Sequence, residues 1–566
     1  MEKPWLAHYD RDVPATITHR ETLLHDLLAA AVRRFPKRDA LVLAVHAARR
    51  VFTSRMSYAR LADEVARCAA ALQRLGVQKG DRVAILLPNC PQFVVAYCAT
   101  LQVGGIAVPF NPLYSAREIE YQLRDCGAKL ALVLNRFYPD VQKVRARTAL
   151  ERVVVTAIQG HFPLPLRWLY GLTRGRRERV VLAASDLRYD ALLAPGRPAP
   201  VASAEEDSAV LLYTGGTTGV GKGVELSHRN LVYNAEQNRA WAKLGEGRDV
   251  TLGALPLFHA FGLTCGLHLS LLTAGTLVLV PNPTDIRGLA KTIDALRPNI
   301  FPVVPTLLVG LSNLKGLARY DLRSITVCPC AGSPLAPAVQ RTFVERTGVP
   351  VAEGFGLTEC APVAMGNPPF GENRWGTVGL PYPDTEARIV DVDKGALEMP
   401  LGEDGEWSEP GEIVLRGPQL MKGYWRNPEA TAAQIKDGWL HTGDVGQRHR
   451  DGYFRVVDRL KDLIIRSGMK VYPVEVESVL HDHPQVREAI VIGVPDMTRG
   501  ELVKAFVVVR PGTRPTEEEI IAFCRDNLAR YKVPSLVEFR DALPRSAVGK
   551  PLRRVLREEL RQGTRS

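Results

Sequence analysis

Several things are scarce in this chain, and each shortage closes off a class of function. No repeat and no low-complexity tract stands out, which excludes solenoids, collagen-like chains and disordered linkers. The nine cysteines (68, 90, 98, 126, 265, 328, 330, 360 and 524) are scattered and mostly lie in apolar surroundings, so a disulfide framework is a poor reading. Cys328 and Cys330 form one close pair, but no second Cys/His pair lies at zinc-site spacing, and buried thiols are expected instead of a metal. The N-terminus MEKPWLAHYDRD lacks an apolar signal region, so a reducing, cytoplasmic setting is expected. Acidic and basic residues are both absent from Val250 to Thr284, the nearest thing to a membrane span. Pro256, His259, His268 and several glycines interrupt it, and it reads as a strand, a turn, a short helix and the β-rich TLVLV of a buried α/β region.

What remains is ordinary soluble-enzyme texture. With 566 residues, 46% of them apolar and 24% charged, the chain is long enough for about two to four domains or subdomains. The net charge of +12 points to an anionic partner. The basic residues are dispersed and no nucleic-acid module is recognisable, so no nucleic acid is expected. The sharpest basic feature is HFPLPLRWLYGLTRGRRERV (161–180), where apolar and aromatic residues precede Arg174, Arg176, Arg177 and Arg179. That pattern suits peripheral contact with an anionic inner membrane as well as it suits a solvated surface loop. The assembly state stays open, a homodimer being one option.

Apolar runs such as RVAILLP, IAVPF, LALVLN, VVVTA, DSAVLLYT and TLVLV alternate with helical patterns such as REIEYQLRDCG and LADEVARCAAALQRLG. The rhythm predicts an α/β architecture with largely parallel sheets. After GYFRVVDRLKDLII (452–465) the texture shifts to VYPVEVESVLHDHP, EAIVIGVP, KAFVVV and TEEEIIAFCRDNL, which predicts a small C-terminal α+β domain. The division expected is residues 1–458 and 459–566, with a hinge near Lys461.

One loop carries a chemical signal by itself. TGGTTGVGKG (214–223) follows the apolar strand AVLLY and precedes LSHRNLVYNAE, a helical pattern with Ser227 near its start. The threonine hydroxyls, the glycine-exposed backbone N–H groups and Lys222 suit a phosphate cradle. The segment GTTGVGKG is one residue away from a P-loop, but Gly223 stands where the Mg²⁺-ligating Ser or Thr would be. A P-loop NTPase is therefore disfavoured, while a turn with no ligand remains an alternative for this loop taken alone.

The loop does not stand alone. In order along the chain come PLFHAFGL (256–263), AGSPL (331–335), GFGLTE (354–359), GEIVLRGP (411–418), GYW (423–425), LHTGD (440–444), GYFRVVDRLKD (452–462) and LPRSAVGKPLRR (543–554). With these blocks the chain resembles the adenylate-forming superfamily of acyl-CoA synthetases, nonribosomal adenylation domains and firefly luciferase. It looks most like bacterial long-chain fatty acid–CoA ligases, which DGWLHTGDVGQRHRDGYFRVVDRLK (437–461) resembles over its whole length. The resemblance implies a large N-terminal domain of α/β subdomains with a small β-barrel, and a small mobile α+β C-terminal domain. It implies ATP, Mg²⁺ and coenzyme A as cofactor and co-substrates, with a fatty acid as the other substrate.

Roles carried over by resemblance follow the chemistry. A carboxylate is a poor acyl electrophile, so it is first joined to AMP with loss of pyrophosphate, and a thiol then opens the mixed anhydride. Charge screening and in-line positioning are what the protein must supply. Thr214, Gly215, Thr217, Thr218, Gly219 and Lys222 would hold the β and γ phosphates. Thr358 would contact the α-phosphate and Glu359 would ligate Mg²⁺, which leaves Gly223 with no metal to hold. Phe355 would stack on adenine, with Gly332, Ser333 and Pro334 on its other side and Gly356 as a further residue of the nucleotide site. Asp444 would bind the ribose hydroxyls, and Arg459 the ribose or phosphate. Lys550 would bridge the substrate carboxylate and the α-phosphate. For the thiol step, rotation about Lys461 would bring Arg466, Ser467, Gly468 and Met469 to the pantetheine path, with Lys470 beside them replacing the Asn or other polar residue frequent in relatives. Phe258, His259, residues 301–308, Gly332 and Gly356 would form the acyl pocket, with His259 as its gate. Rival readings are a medium-chain or aryl acid–CoA ligase, an acyl-AMP ligase loading a carrier protein, and a non-catalytic membrane-associated fatty-acid binder.

Overall fold

In a computed structural model, residues 3–563 are described except 20, 48–49, 173–174, 176–177, 179, 215–220, 393–394, 396, 468, 497 and 546–551. The chain forms two compact units. The larger comprises Leu6–Glu386 with Arg416–Lys436, and the smaller comprises Met1–Trp5, Ala387–Leu415 and Asp437–Ser566.

The larger unit is built on the apolar runs read from the sequence. Ser208–Thr214, Ile106–Pro109, Arg82–Leu86, Leu130–Leu134, Arg152–Thr156 and Leu187–Arg188 lie side by side in one sheet, extended at the Ser208 edge by Lys222–Ser227 and then Gly423–Tyr424. The first six run parallel; the last two are antiparallel additions. Strands buried on both faces need continuous apolar runs, which explains why LALVL is buried at every position. The helix Ala116–Cys126 has its start and stop written in sequence: Ser115 and Glu118 form a capping box, and Gly127 closes it with φ 62°. A second sheet runs Val250–Gly253, Thr276–Leu279, Asp39–Ala47, Arg50–Ser57. A third runs Pro329–Cys330, Ala352–Gly356, Val363–Gly366, Leu380–Pro381 and carries several candidate residues.

The charge-free stretch after Val250 is the buried strand–helix–strand expected. Between its two strands lie Ala260–Gly262, a π-helical turn Leu263–His268 and Leu269–Leu272. Among the described residues no helix is long and apolar enough to cross a membrane. All nine cysteines are free and buried, as their apolar surroundings suggested.

A further sheet places Glu386–Val390, Gly411–Arg416, Trp439–Arg448 and Phe454–Arg459 side by side, the last three antiparallel. The C-terminal α+β region pairs Val486–Asp496 with Gly500–Val509, to which Ile464–Arg466 and Leu536–Phe539 add on the other side. Helices Pro473–Asp482 and Glu517–Asn527 bury Val476, Leu480, Ile520 and Cys524 against this sheet.

Candidate active site

The phosphate-loop segment is a strand–loop–strand device. Thr214 ends one strand and Lys222 opens the next, and the two are direct antiparallel partners. A P-loop leads from its lysine into a helix; here the lysine leads into a strand, and the helix His228–Trp241 begins only after Ser227, whose side chain caps it. Gly223 has a packing reason of its own, since a Cβ there would stand 3.2 Å from the Tyr213 ring and 3.4 Å from Trp425. At Gly221 a Cβ would come within 3.0 Å of the Thr214 carbonyl oxygen. Gly215, Thr217, Thr218 and Gly219 lie outside the described residues, as do Gly468 and Lys550.

Thr358 and Glu359 sit on a one-turn 3₁₀ helix, Thr358–Cys360, just after the strand Ala352–Gly356. Glu359 is buried, and its Oε1 accepts the Tyr424 hydroxyl at 2.8 Å. Its backbone carbonyl accepts the Met421 N–H at 2.8 Å, which ties the turn to the 416–436 segment. The same Tyr424 ring lies 4.7 Å beneath the Lys222 ammonium. Two candidate residues from distant blocks thus meet at one tyrosine.

The adenine candidates are held together in the same manner. Phe355 lies on the strand Ala352–Gly356, paired with Met365. Gly332 has φ 90°, a left-handed conformation that favours glycine, in the loop leading through Ser333 and Pro334 to Leu335. The Leu335 N–H donates to Glu353 Oε1 at 2.9 Å, so the loop is fastened to the strand that carries Phe355. Burial pushes the Glu353 carboxyl up to about 8, against the Leu335 bond that lowers it. Gly356 is required by packing, because a Cβ there would stand 1.9 Å from the Pro362 carbonyl oxygen. His259 caps the turn that follows it, its Nδ1 accepting the Phe261 N–H at 3.3 Å.

In the smaller unit Asp444 and Arg459 face each other across adjacent strands, Arg459 Nε lying 2.9 Å from Asp444 Oδ1. The strand segment bearing Asp444 is set by Glu412, which accepts the Gly443 N–H at 2.9 Å and hydrogen-bonds His441 Nδ1 at 2.7 Å. Lys461 follows on a 3₁₀ turn; burial first, then Arg459, lowers its ammonium to about 8, against the carboxylates of Asp462 and Asp444. Upstream of it, Asp458 accepts the N–H of Val474 at 2.8 Å, in the first turn of the helix Pro473–Asp482. Arg466 donates to the carbonyls of Tyr531 and Val533 at 3.0 and 2.9 Å. Ser467 adopts φ 52° and Lys470 pairs with Ile465 across a short hairpin. Tyr424, Glu353, Glu412 and Asp458 had no role assigned from sequence, although Tyr424 lies in the GYW block and Glu353 immediately precedes GFGLTE.

Comparison with known proteins decides the family. The AMP-binding enzyme family matches residues 28–425, and its C-terminal domain family matches residues 475–550. The chain belongs to the AMP-binding enzyme family. A long-chain-fatty-acid–CoA ligase of Bacillus subtilis (strain 168) is 40% identical over 565 residues, covering 99% of this chain and 98% of that protein. ATP-bound MatB from Rhodopseudomonas palustris superposes with a TM-score of 0.82 at 29% identity, over 95% of this chain and 99% of that one. The anthranilate CoA ligase AuaEII in complex with anthranoyl-AMP gives a TM-score of 0.81 at 29% identity, over 96% and 98%. The AMP-binding enzyme therefore shares its fold with a protein seen bound to ATP and with a CoA ligase seen bound to anthranoyl-AMP.

Proposed function

We propose that this AMP-binding enzyme joins a long-chain fatty acid to coenzyme A in two steps. In the first, a fatty-acid carboxylate oxygen attacks the α-phosphorus of ATP, the bond to the bridging oxygen breaks, and pyrophosphate leaves with acyl-AMP formed. In the second, the coenzyme A thiolate attacks the acyl carbonyl and AMP departs. The observation that carries this reading is the likeness to the Bacillus subtilis ligase, which runs through both units of the chain. The medium-chain, aryl, carrier-loading and non-catalytic readings have no comparable support.

In this reading Thr214, Gly215, Thr217, Thr218, Gly219 and Lys222 bind the β and γ phosphates, and Thr358 the α-phosphate. Gly332 to Pro334 and Phe355 flank the adenine, and Asp444 with Arg459 binds the ribose. Lys550 neutralises charge between the carboxylate and the α-phosphate. Glu359 fits a Mg²⁺ ion held jointly with nucleotide phosphates: it is a single buried carboxylate, and no cluster of three or more His, Cys, Asp or Glu exists among the described residues. Bound there, the ion would screen phosphate charge. The region 459–566 acts as a lid turning about Lys461, and Arg466, Ser467, Gly468 and Lys470 line the thiol path. The helix Leu164–Leu172, with Trp168 and Leu172 exposed, docks on the cytoplasmic face of an anionic membrane.

The test is ligation with ATP, Mg²⁺, coenzyme A and a ladder of acids from acetate to oleate plus aryl acids, reading AMP and acyl-CoA together. A maximum at long chains supports the reading. AMP or acyl-AMP without acyl-CoA would point to another thiol acceptor, and a maximum at short or aryl acids would move the substrate class.

A further inference from the structure

Tyr424 meets two proposed site residues of opposite charge, one with its hydroxyl and one with its ring. We infer that Tyr424 is a positioning residue of the adenylation site, orienting the Glu359 carboxylate and the Lys222 ammonium at the same time. This rests on the reading of those two residues as handlers of nucleotide phosphate and its cation.

The tyrosine is itself held from several sides. Gly423–Tyr424 pairs antiparallel with the strand Lys222–Ser227, placing Tyr424 opposite Val224. The Tyr424 N–H donates to Thr431 Oγ1 at 2.8 Å, and the next residue, Trp425, donates its N–H to the Gly223 carbonyl at 2.7 Å. Gly423 permits this approach, since a Cβ there would lie 2.8 Å from the Thr431 side chain. Tyr424 as a whole is 7% exposed, so its position is set by the fold.

Its chemistry suits the task. A neutral phenol donating at 2.8 Å fixes the plane of the Glu359 carboxylate and leaves its negative charge intact. A ring face 4.7 Å from the Lys222 ammonium attracts that cation and leaves its positive charge intact. An arginine or lysine at 424 would neutralise Glu359, and an acid would neutralise Lys222.

Replacing Tyr424 by Phe and by Leu separates the two contacts. Mg²⁺ titrations of ATP binding, followed by calorimetry on the full-length protein, run beside ATP–pyrophosphate exchange and a thermal melt. Tyr424→Phe should raise the Mg²⁺ concentration for half-maximal ATP binding about tenfold, the size of one lost hydrogen bond to a charged group, while KM for ATP at saturating Mg²⁺ moves less than about twofold. Tyr424→Leu should do both, raising that KM several-fold as well. The Phe ring thus rescues nucleotide affinity but not the Mg²⁺ requirement. A Phe variant with wild-type Mg²⁺ dependence, or Phe and Leu variants altered equally in both quantities, would overturn the inference while leaving the proposed function standing. Wild-type protein that neither binds ATP nor exchanges pyrophosphate would remove both.

Discussion

Glu353 Oε1 accepts the backbone N–H of Leu335 at 2.9 Å, and through that bond the loop containing Gly332 to Pro334 is tied to the strand bearing Phe355. The bond joins the two sides of the proposed adenine slot, and it depends on a carboxyl that burial holds near 8. A folded-state pKa above the unfolded one means that the native state retains a proton the unfolded chain releases. The stability tied to that proton is full below the ordinary carboxyl pKa and is lost as pH rises through about 8. Wild-type Tm should therefore fall between pH 5 and 9 relative to Glu353→Gln, whose amide does not titrate. Parallel Tm-against-pH curves for the two proteins would refute this.

The Asp444–Arg459 pair leads to a nucleotide-specific expectation. Asp444 is buried while Arg459 is half-exposed, so Asp444→Ala leaves the arginine solvated and does not strand a buried charge. The expected loss is in ribose binding, with KM for ATP raised roughly 10- to 100-fold for the hydrogen bonds to a charged group. Initial rates across an ATP series decide it; an unchanged KM would place the ribose elsewhere.

For the hinge, Lys461→Pro should leave acyl-AMP formation largely intact and suppress thioester formation, because a fixed φ restricts the turn Leu460–Asp462. Single-turnover assays reading acyl-AMP and acyl-CoA separately are the measurement. Equal loss of both steps would argue against rotation about this residue.

Gly332→Trp is expected to shorten the preferred acid, but with φ 90° any side chain there also strains the backbone. Val304 offers a cleaner route, as its Cγ1 lies 3.4 Å from where a Cβ on Gly332 would stand. Val304→Phe should shift the chain-length maximum toward shorter acids at similar Tm. An unchanged acid profile would remove residues 301–308 from the acyl pocket.

Stability of the C-terminal region should hinge on Arg553. Its Nη2 donates to both Glu477 oxygens at 2.7 Å and its Nη1 approaches Asp462 at 3.3 Å. Arg553→Ala leaves two buried carboxylates short of their partner and should cost about 3–5 kcal/mol. Chemical denaturation followed by circular dichroism checks it; a loss below about 1 kcal/mol would mean that water or Arg557 replaces the guanidinium.

Much of this molecule was legible in its sequence because the signals are local. Strands such as Leu130–Leu134 appear where apolar residues run continuously, and the helix Ala116–Cys126 begins and ends where Ser115, Glu118 and Gly127 place it. The ordered blocks, each a few residues long, marked the phosphate loop and the segments of Glu359 and Asp444. The same blocks implied that Gly223 has no metal to hold, but not why a glycine stands there. That answer required seeing a strand follow Lys222, with Tyr213 and Trp425 closing over the glycine.

Tertiary structure alone decided which residues serve the marked ones. Tyr424 reaches Glu359 across 65 positions of sequence and Lys222 across a sheet edge, and Asp458 reaches the first turn of the helix Pro473–Asp482. Such contacts depend on strand order, register and side-chain direction, which no periodicity encodes. Sequence determined which local pieces form and which chemistry they carry; packing determined how charges are oriented without being cancelled, because hydrogen bonds and ring contacts act only over a few ångströms of three-dimensional distance.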